Sequence, residues 1–343
     1  MDRRAQLQAL LATVIEPLSA LPLTALPLTV SDDCITLGYF NQALVAELRS
    51  RLDAAGLGAV AVRCEAPACV DSRAAERLRP VRAIIAVASG KGGVGKSATA
   101  VNLALALKAE GARVGLLDAD IYGPSLPIMV GKSDERVHSP DGTLMAPLYA
   151  HGLACNSLGF LMDPQEAAVW RGPMASAALK QMFNDTLWPV LDYLVVDLPP
   201  GTGDIPLTLA QAVPVSTAVV VTTPQNLALA DARRGVAMFT KVHVPVCGVV
   251  ENMSYFVCGH CGTASAIFGD AGGDRLAAEA GVPVLGQIPL DTTIRADADG
   301  GLPTVARDPD HPVSRLYRTI GQRVGLALWQ QQASASALAI AID

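Results

Sequence analysis

From about residue 83 the chain alternates short apolar runs with longer segments of helical character. Runs at 83–87, 113–117, 193–196, 218–221, 246–250 and 284–287 are apolar and rich in β-branched residues. Strands of that kind are buried on both faces, so the pattern predicts a mostly parallel sheet flanked by helices. Residues 1–80 read differently. An amphipathic helix opens the chain, because Gln6 and Gln8 interrupt its apolar run and Glu16-Pro17 ends it, which a secretory signal would not show. Prolines 17, 22 and 27 mark turns, 34–37 and 59–62 read as strands, 42–52 as a helix, and the charged stretch 71–80 as a linker. The expected class is α/β, with a small α+β domain at 1–80 and a larger domain at 81–343. A last helix is expected from Ser314 to about Gln331, followed by an Ala/Ser-rich tail.

The first strand of the larger domain runs into Gly90-Lys91-Gly92-Gly93-Val94-Gly95-Lys96-Ser97-Ala98. The spacing Gly90-x-x-x-x-Gly95-Lys96-Ser97, between an apolar strand and a helix, is that of a P-loop. Its glycines let the backbone turn tightly, so that N–H groups converge on phosphates at the positive end of the helix dipole. Lys96 supplies a point charge to the β/γ-phosphates, and Ser97 a hydroxyl to Mg2+. Residues 90–98 are therefore the expected ATP-binding segment of a P-loop NTPase.

Phosphoryl transfer also needs carboxylates. Asp197 ends the strand Tyr193-Leu194-Val195-Val196 and is expected to hold the Mg2+ shell through water. Asp118 and Asp120 end another strand, where either can orient or polarise the attacking water, and Asp120 is taken as the catalytic one. Strand-end aspartates are often plain turn caps; beside a P-loop that reading recedes.

Composition narrows the partners. Net charge is −6, with 26 Lys and Arg against 32 Asp and Glu, which leaves no basic footprint for nucleic acid or acidic lipid. No apolar run reaches the roughly 18 residues of a membrane span. Seven cysteines, odd in number and scattered, form no disulfide framework and point to a reducing cytoplasm. Only Cys258-Gly259-His260-Cys261 has ligand spacing. Two thiolates suit Zn2+ or iron, yet do not close a four-ligand site. Two protomers can each donate the pair, Cys64 and Cys69 can complete it, or the pair can be a redox dithiol; the intersubunit site is favoured. His260 is read as a bystander.

Lys91 is not required by a generic P-loop. With it, residues 90–97 resemble the deviant Walker A motif of MinD/ParA-like ATPases. From about Arg82 to Leu328 the chain closely resembles the bacterial Mrp (ApbC) family of iron-sulfur cluster carriers, through Asp118-Ala119-Asp120-Ile121-Tyr122-Gly123-Pro124-Ser125, Trp170-Arg171-Gly172-Pro173-Met174, Asp197-Leu198-Pro199-Pro200-Gly201-Thr202-Gly203-Asp204, Thr223-Pro224-Gln225 and Glu251-Asn252-Met253-Ser254 leading to Cys258 and Cys261. The resemblance implies a homodimer in which Lys91 reaches the partner's nucleotide, and two switch segments that follow Asp118 and Asp197. It further implies that Asn252 contacts adenine. Cys258 and Cys261 are implied to hold a bridging [4Fe-4S] cluster, received from assembly donors and passed to apoproteins with ATP hydrolysis. The small domain departs from the family, since Pro67-Ala68-Cys69-Val70 lacks the usual Cys-Pro motif. The competing expectation is a MinD/ParA-like regulatory or partitioning ATPase with a structural zinc site; it is disfavoured because the chain carries neither a C-terminal basic amphipathic helix nor a basic face.

Overall fold

The structure, a computed structural model, describes residues 3–70, 78, 80–162 and 172–340. Two compact units make up the chain: Met1–Pro67 with Gln322–Asp343, and Ala68–Gly321. That division differs from a single break at residue 80. The last helix, Pro312–Ile340, continues beyond Gln331, as alanine-rich sequence favours, and its residues from Gln322 onward belong to the small unit. The linker expected at 71–80 lies outside the described residues except for Pro80 and Leu78, the latter buried in the core of the large unit.

In the small unit, helix Arg3–Thr13 precedes β1 (Thr29–Val30), β2 (Cys34–Leu37), helix Gln42–Ala54 and β3 (Ala61–Cys64). The sheet order is β1-β2-β3, antiparallel then parallel. Asn41 caps the second helix by accepting from the Leu44 N–H at 3.1 Å. Leu44, Leu48 and Leu52 recur every four residues and bury one stripe of that helix. They share a core with Leu7, Ile35 and Trp329, whose ring stacks on Tyr39 at 5.9 Å. The core thus draws on both ends of the chain.

The large unit contains β4 (Val81–Ser89), β5 (Val114–Asp118), β6 (Leu148–Ala150), β7 (Leu153–Ser157), β8 (Leu191–Asp197), β9 (Thr217–Thr222), β10 (Val246–Glu251), the hairpin β11 (Phe256–Val257) and β12 (Ala264–Ser265), and β13 (Val284–Gln287). Eight strands form one sheet in the order β13-β10-β9-β4-β8-β5-β7-β6, parallel except for β6. All six expected strands are present, and β13 spans 284–287 as read from the sequence. Strands β6 and β7 were not expected. Because β4 lies at the middle of the sheet, the loop after it has β8 on one side and β9 on the other. Asp118 and Asp197 are register partners across β5 and β8, which brings two strand-end carboxylates to the same edge as the loop.

Candidate nucleotide and metal site

The phosphate loop is a tight backbone arc whose glycines have separate reasons. A Cβ at Gly90 would run into the backbone of Asp231 and Ala232. Gly93 and Gly95 both sit at φ +80°, in the left-handed region, and Gly95 caps helix Lys96–Ala109. A Cβ at Gly95 would also collide with the side-chain amide of Asn252. Gly92 and Gly93, by contrast, face open space. That is the form of a cradle for phosphate.

Lys96 is buried and donates from Nζ to Asp197 Oδ1 at 2.5 Å and to Ser97 Oγ at 3.2 Å. The lysine, the hydroxyl and the strand-end carboxylate expected from the sequence therefore meet in one cluster. This donor set fits Mg2+ and phosphate: hard oxygens for the cation, an ammonium for the anion. Asp118 and Asp120 divide their roles. Asp118 is buried and accepts from the N–H groups of Asp120, Ser125 and Leu126 and from Ser157 Oγ, all at 3.0–3.2 Å. It anchors the following loop. Burial first, then the Asp197 carboxylate, pushes its carboxyl up to about 7, against the opposing pull of Lys96 and the N–H donors. Asp120 is half-buried, and burial raises its carboxyl too, with Lys96 opposing and Asp197 adding. Backbone N–H groups of Gly123 and Tyr122 pull the Asp120 carboxyl the other way, and of the two aspartates it is the less buried.

Lys91 is half-buried, and its ammonium makes no hydrogen bond or ion pair among the described residues; its carbonyl accepts from Ser89 Oγ at 2.9 Å. Val94 is buried, and its carbonyl accepts from Asn252 Nδ2 at 2.9 Å. Asn252 is thus tied to the loop. Beside it opens a cavity of about 470 Å3 bounded by Gly95, Ala98, Asn252, Met253, Pro289 and Leu290. It adjoins the end of the phosphate loop and has the size and apolar lining that suit a nucleotide base. The Pro289-Leu290 wall was missed in the sequence; its only signal is that it follows β13 at the same sheet edge. Trp170 and Arg171 of the quoted Trp-Arg-Gly-Pro-Met motif lie outside the described residues.

The cysteines occupy the tip of the β11–β12 hairpin, where Cys258 N–H donates to the Thr263 carbonyl (3.0 Å) and Gly262 N–H to the Cys258 carbonyl (2.8 Å). Cys258 is half-buried and Cys261 exposed. Cys261 Sγ lies 3.2 Å from Thr263 Oγ1, and hydrogen bonding first to Thr263 and then to Cys258 lowers its thiol below the ordinary value. Among the described residues no group of three or more His, Cys, Asp or Glu stands where it could hold a metal ion. Within the large unit, then, Cys69 does not complete the pair. The turn offers two soft ligands, half of a thiolate site for iron or zinc.

With this geometry in hand, comparison with known proteins decides the family. Residues 80–325 match the family model ParA, described as NUBPL iron-transfer P-loop NTPase. The chain belongs to this family. The matched span of this ParA/NUBPL-type NTPase holds both the phosphate loop and the cysteine turn. An iron-sulfur cluster carrier protein of Salmonella typhimurium is 60% identical over 251 residues, which cover 73% of this chain and 68% of the relative. A nucleotide-binding protein from Archaeoglobus fulgidus, solved with ADP, is 36% identical with a TM-score of 0.59, covering 66% of this chain and 89% of that one. The cell division ATPase MinD of Pyrococcus furiosus shares the fold at 21% identity and a TM-score of 0.55, covering 71% and 98%. Among the described residues of this family member, no helix is long and apolar enough to cross a membrane.

Proposed function

We propose that this P-loop NTPase is an ATP-dependent iron-sulfur cluster carrier that works as a homodimer in the cytoplasm. The observation that carries the reading is that one short stretch joins the two places: Asn252 is bonded to the phosphate loop, and the strand that follows, Phe256–Val257, runs directly into Cys258. The name of the Salmonella relative supports it.

ATP binds with its phosphates on the N–H groups of residues 90–97 and its base beside Asn252. Lys96 turns from Asp197 to the β/γ-phosphates. Ser97 and Asp197 would hold Mg2+, which would supply neutralisation of phosphate charge. Asp120 orients the attacking water, and its raised carboxyl suits it to accept a proton. Lys91, whose ammonium has no partner among the described residues, reaches the nucleotide of the other protomer, as an arginine finger does. The cargo is a [4Fe-4S] cluster on four thiolates, Cys258 and Cys261 from each protomer. Apolar side chains at this edge that a single chain leaves exposed, among them Leu227, Phe256, Val257 and Ile267, supply the dimer face. Assembly proteins donate the cluster and apoproteins receive it, while ATP binding and hydrolysis change how the protomers meet.

Anaerobic reconstitution with iron and sulfide, followed by absorbance and iron/sulfide analysis, tests the carrier. Wild type should hold four irons per dimer, as the [4Fe-4S] formula requires, and transfer them to an apoprotein. Uptake that is unchanged in Cys258→Ala/Cys261→Ala sinks it. For Lys91, a mixed dimer of Lys91→Ala and Lys96→Ala chains should regain part of the hydrolysis that each homodimer lacks.

A further inference from the structure

The carboxylate of Glu251 has no part in the chemistry above, yet it is fully buried where the cysteine-bearing segment leaves the sheet. It accepts three hydrogen bonds. Ser254 Oγ donates to Oε1 at 2.5 Å, Gln287 Nε2 donates to Oε1 at 3.3 Å, and the Gly273 N–H, in the first turn of helix Gly272–Ala280, donates to Oε2. The position is tight, since a Cβ at Gly273 would stand 2.9 Å from Glu251 Cβ. Desolvating a carboxylate is costly unless donors replace water, so this one is placed with care.

The two residues between Glu251 and Ser254 make the arrangement informative. Asn252 donates its side chain to Val94 of the phosphate loop, and Met253 is held at φ +54°, a conformation that L residues seldom adopt. Beyond them, the Ser254 N–H donates to the Ile288 carbonyl (2.9 Å), and the Leu290 N–H to the Tyr255 carbonyl (2.7 Å), just before β11 begins. One end of this tetrapeptide reads the phosphate loop. The other fixes the root of the cysteine hairpin.

We infer that Glu251 and Ser254 are positioning residues for Cys258 and Cys261, and that their bond ties the place of the cysteine turn to the state of the phosphate loop through Asn252. For its purpose the inference rests on the carrier reading; its geometry stands apart from it. A ligand that moves the loop moves Asn252, and with Ser254 clamped to Glu251 the displacement passes to the hairpin instead of being absorbed at the strained Met253. Without the clamp, Met253 relaxes and the turn is uncoupled.

The test uses the full, cluster-free chain under anaerobic conditions and reads the rate at which iodoacetamide alkylates Cys261, by mass spectrometry, with and without ATP. In wild type ATP should change that rate by about tenfold, the factor carried by one hydrogen bond to a charged acceptor. Ser254→Ala should reduce the change to less than about twofold while ATP affinity stays within about twofold, because Ser254 does not touch the nucleotide site. Glu251→Gln should match it, and Glu251→Gln/Ser254→Ala should be no worse than either alone, as expected when both act through one bond. If Glu251→Gln does not fold, Ser254→Ala decides alone. A wild-type rate indifferent to ATP, an undiminished response in Ser254→Ala, or a response lost only in step with ATP affinity overturns the inference. Cluster uptake by the same wild-type preparation separates the two ideas: no uptake with a Ser254-dependent response sinks the carrier and keeps the link, whereas uptake with a Ser254-independent response does the reverse.

Discussion

The phosphate loop and the cysteine turn lie on one unit and are joined by one short segment, yet they are built in opposite ways. At the loop Lys96, Asp118 and Asp197 are 6%, 2% and 3% exposed, and each is bonded within the chain. At the turn one thiol is exposed, no third ligand joins the pair among the described residues, and Phe256 and Val257 beside it are 37% and 45% exposed. The cluster of Lys96, Asp118 and Asp197 at the first site is assembled by a single chain. The second has coordination capacity and apolar surface left over, which is what a site shared with another molecule requires. Damage at the loop should therefore cost the fold as well as the chemistry, and damage at the turn the chemistry alone.

Lys96→Ala should show the largest effect. It leaves Asp197 buried without its cation, which costs about 3–5 kcal/mol in comparable pairs. Hydrolysis should fall by about 100-fold or more, as for loss of one preorganised charge-stabilising group. Melting curves and phosphate release read both. Adding Asp197→Asn should restore most of the stability and none of the hydrolysis; a Lys96→Ala protein that melts like wild type would remove the contrast.

Next comes Asp118, whose carboxyl is raised from 3.8 to about 7. The folded chain then holds a proton that the unfolded chain has released, so the stability from this group is present below about pH 4 and is lost as pH rises through about 7. Between those limits the unfolding free energy from urea titrations should fall by a few kcal/mol more for wild type than for Asp118→Asn. Parallel curves for the two would show that the four donors to Asp118 outweigh its burial.

Gly95→Ala should be milder. It forces a Cβ into a left-handed position and against the Asn252 amide, at a cost of about 1–3 kcal/mol. Gly92→Ala, whose Cβ meets nothing within 4 Å, should stay within about 0.5 kcal/mol of wild type while still weakening ATP binding. Equal destabilisation by the two, measured by denaturant unfolding, would mean that the loop is not held by Asn252.

The same contrast governs how much could be read from the sequence. Strands β4, β5, β8, β9 and β10 were legible because burial on both faces selects apolar runs, β13 only through its Val284-Leu285 start since it is a half-buried edge strand, and the phosphate loop because phosphate geometry dictates glycine spacing. Strand β7 was not, since it is Leu153-Ala154-Cys155-Asn156-Ser157: fully buried, but with polar residues satisfied by Thr186 and Asp118, partners far away in the chain. Asp118 itself carried a motif, but nothing local told an anchor from a water-orienting group; its four donors decide that. Trp329 in the small core, Glu251 under the hairpin and Pro289 beside the cavity are long-range facts that no periodicity encodes. The cysteine pair stood out as candidate ligands through its spacing, and the hairpin that presents it did not, because two-residue strands leave no pattern.

The smallest expected effect on the fold is at that hairpin. Cys258→Ala/Cys261→Ala removes one half-buried and one exposed thiol whose side chains support little else: Cys261 Sγ meets Thr263 Oγ1, and the Cys258 contacts that shape the turn run through its backbone. Alanine keeps those backbone bonds. Unfolding free energy should change by less than about 0.5 kcal/mol, the usual range for surface substitutions, and nucleotide affinity should be untouched. On the proposed reading cluster uptake should nonetheless vanish, because among the described residues no third ligand stands beside the pair. Denaturant unfolding, ATP titration and iron analysis on one preparation check all three. A double variant that unfolds several kcal/mol earlier would make the turn a structural clip that holds its own chain together, and the division of the molecule into a self-contained site and a shared one would fail.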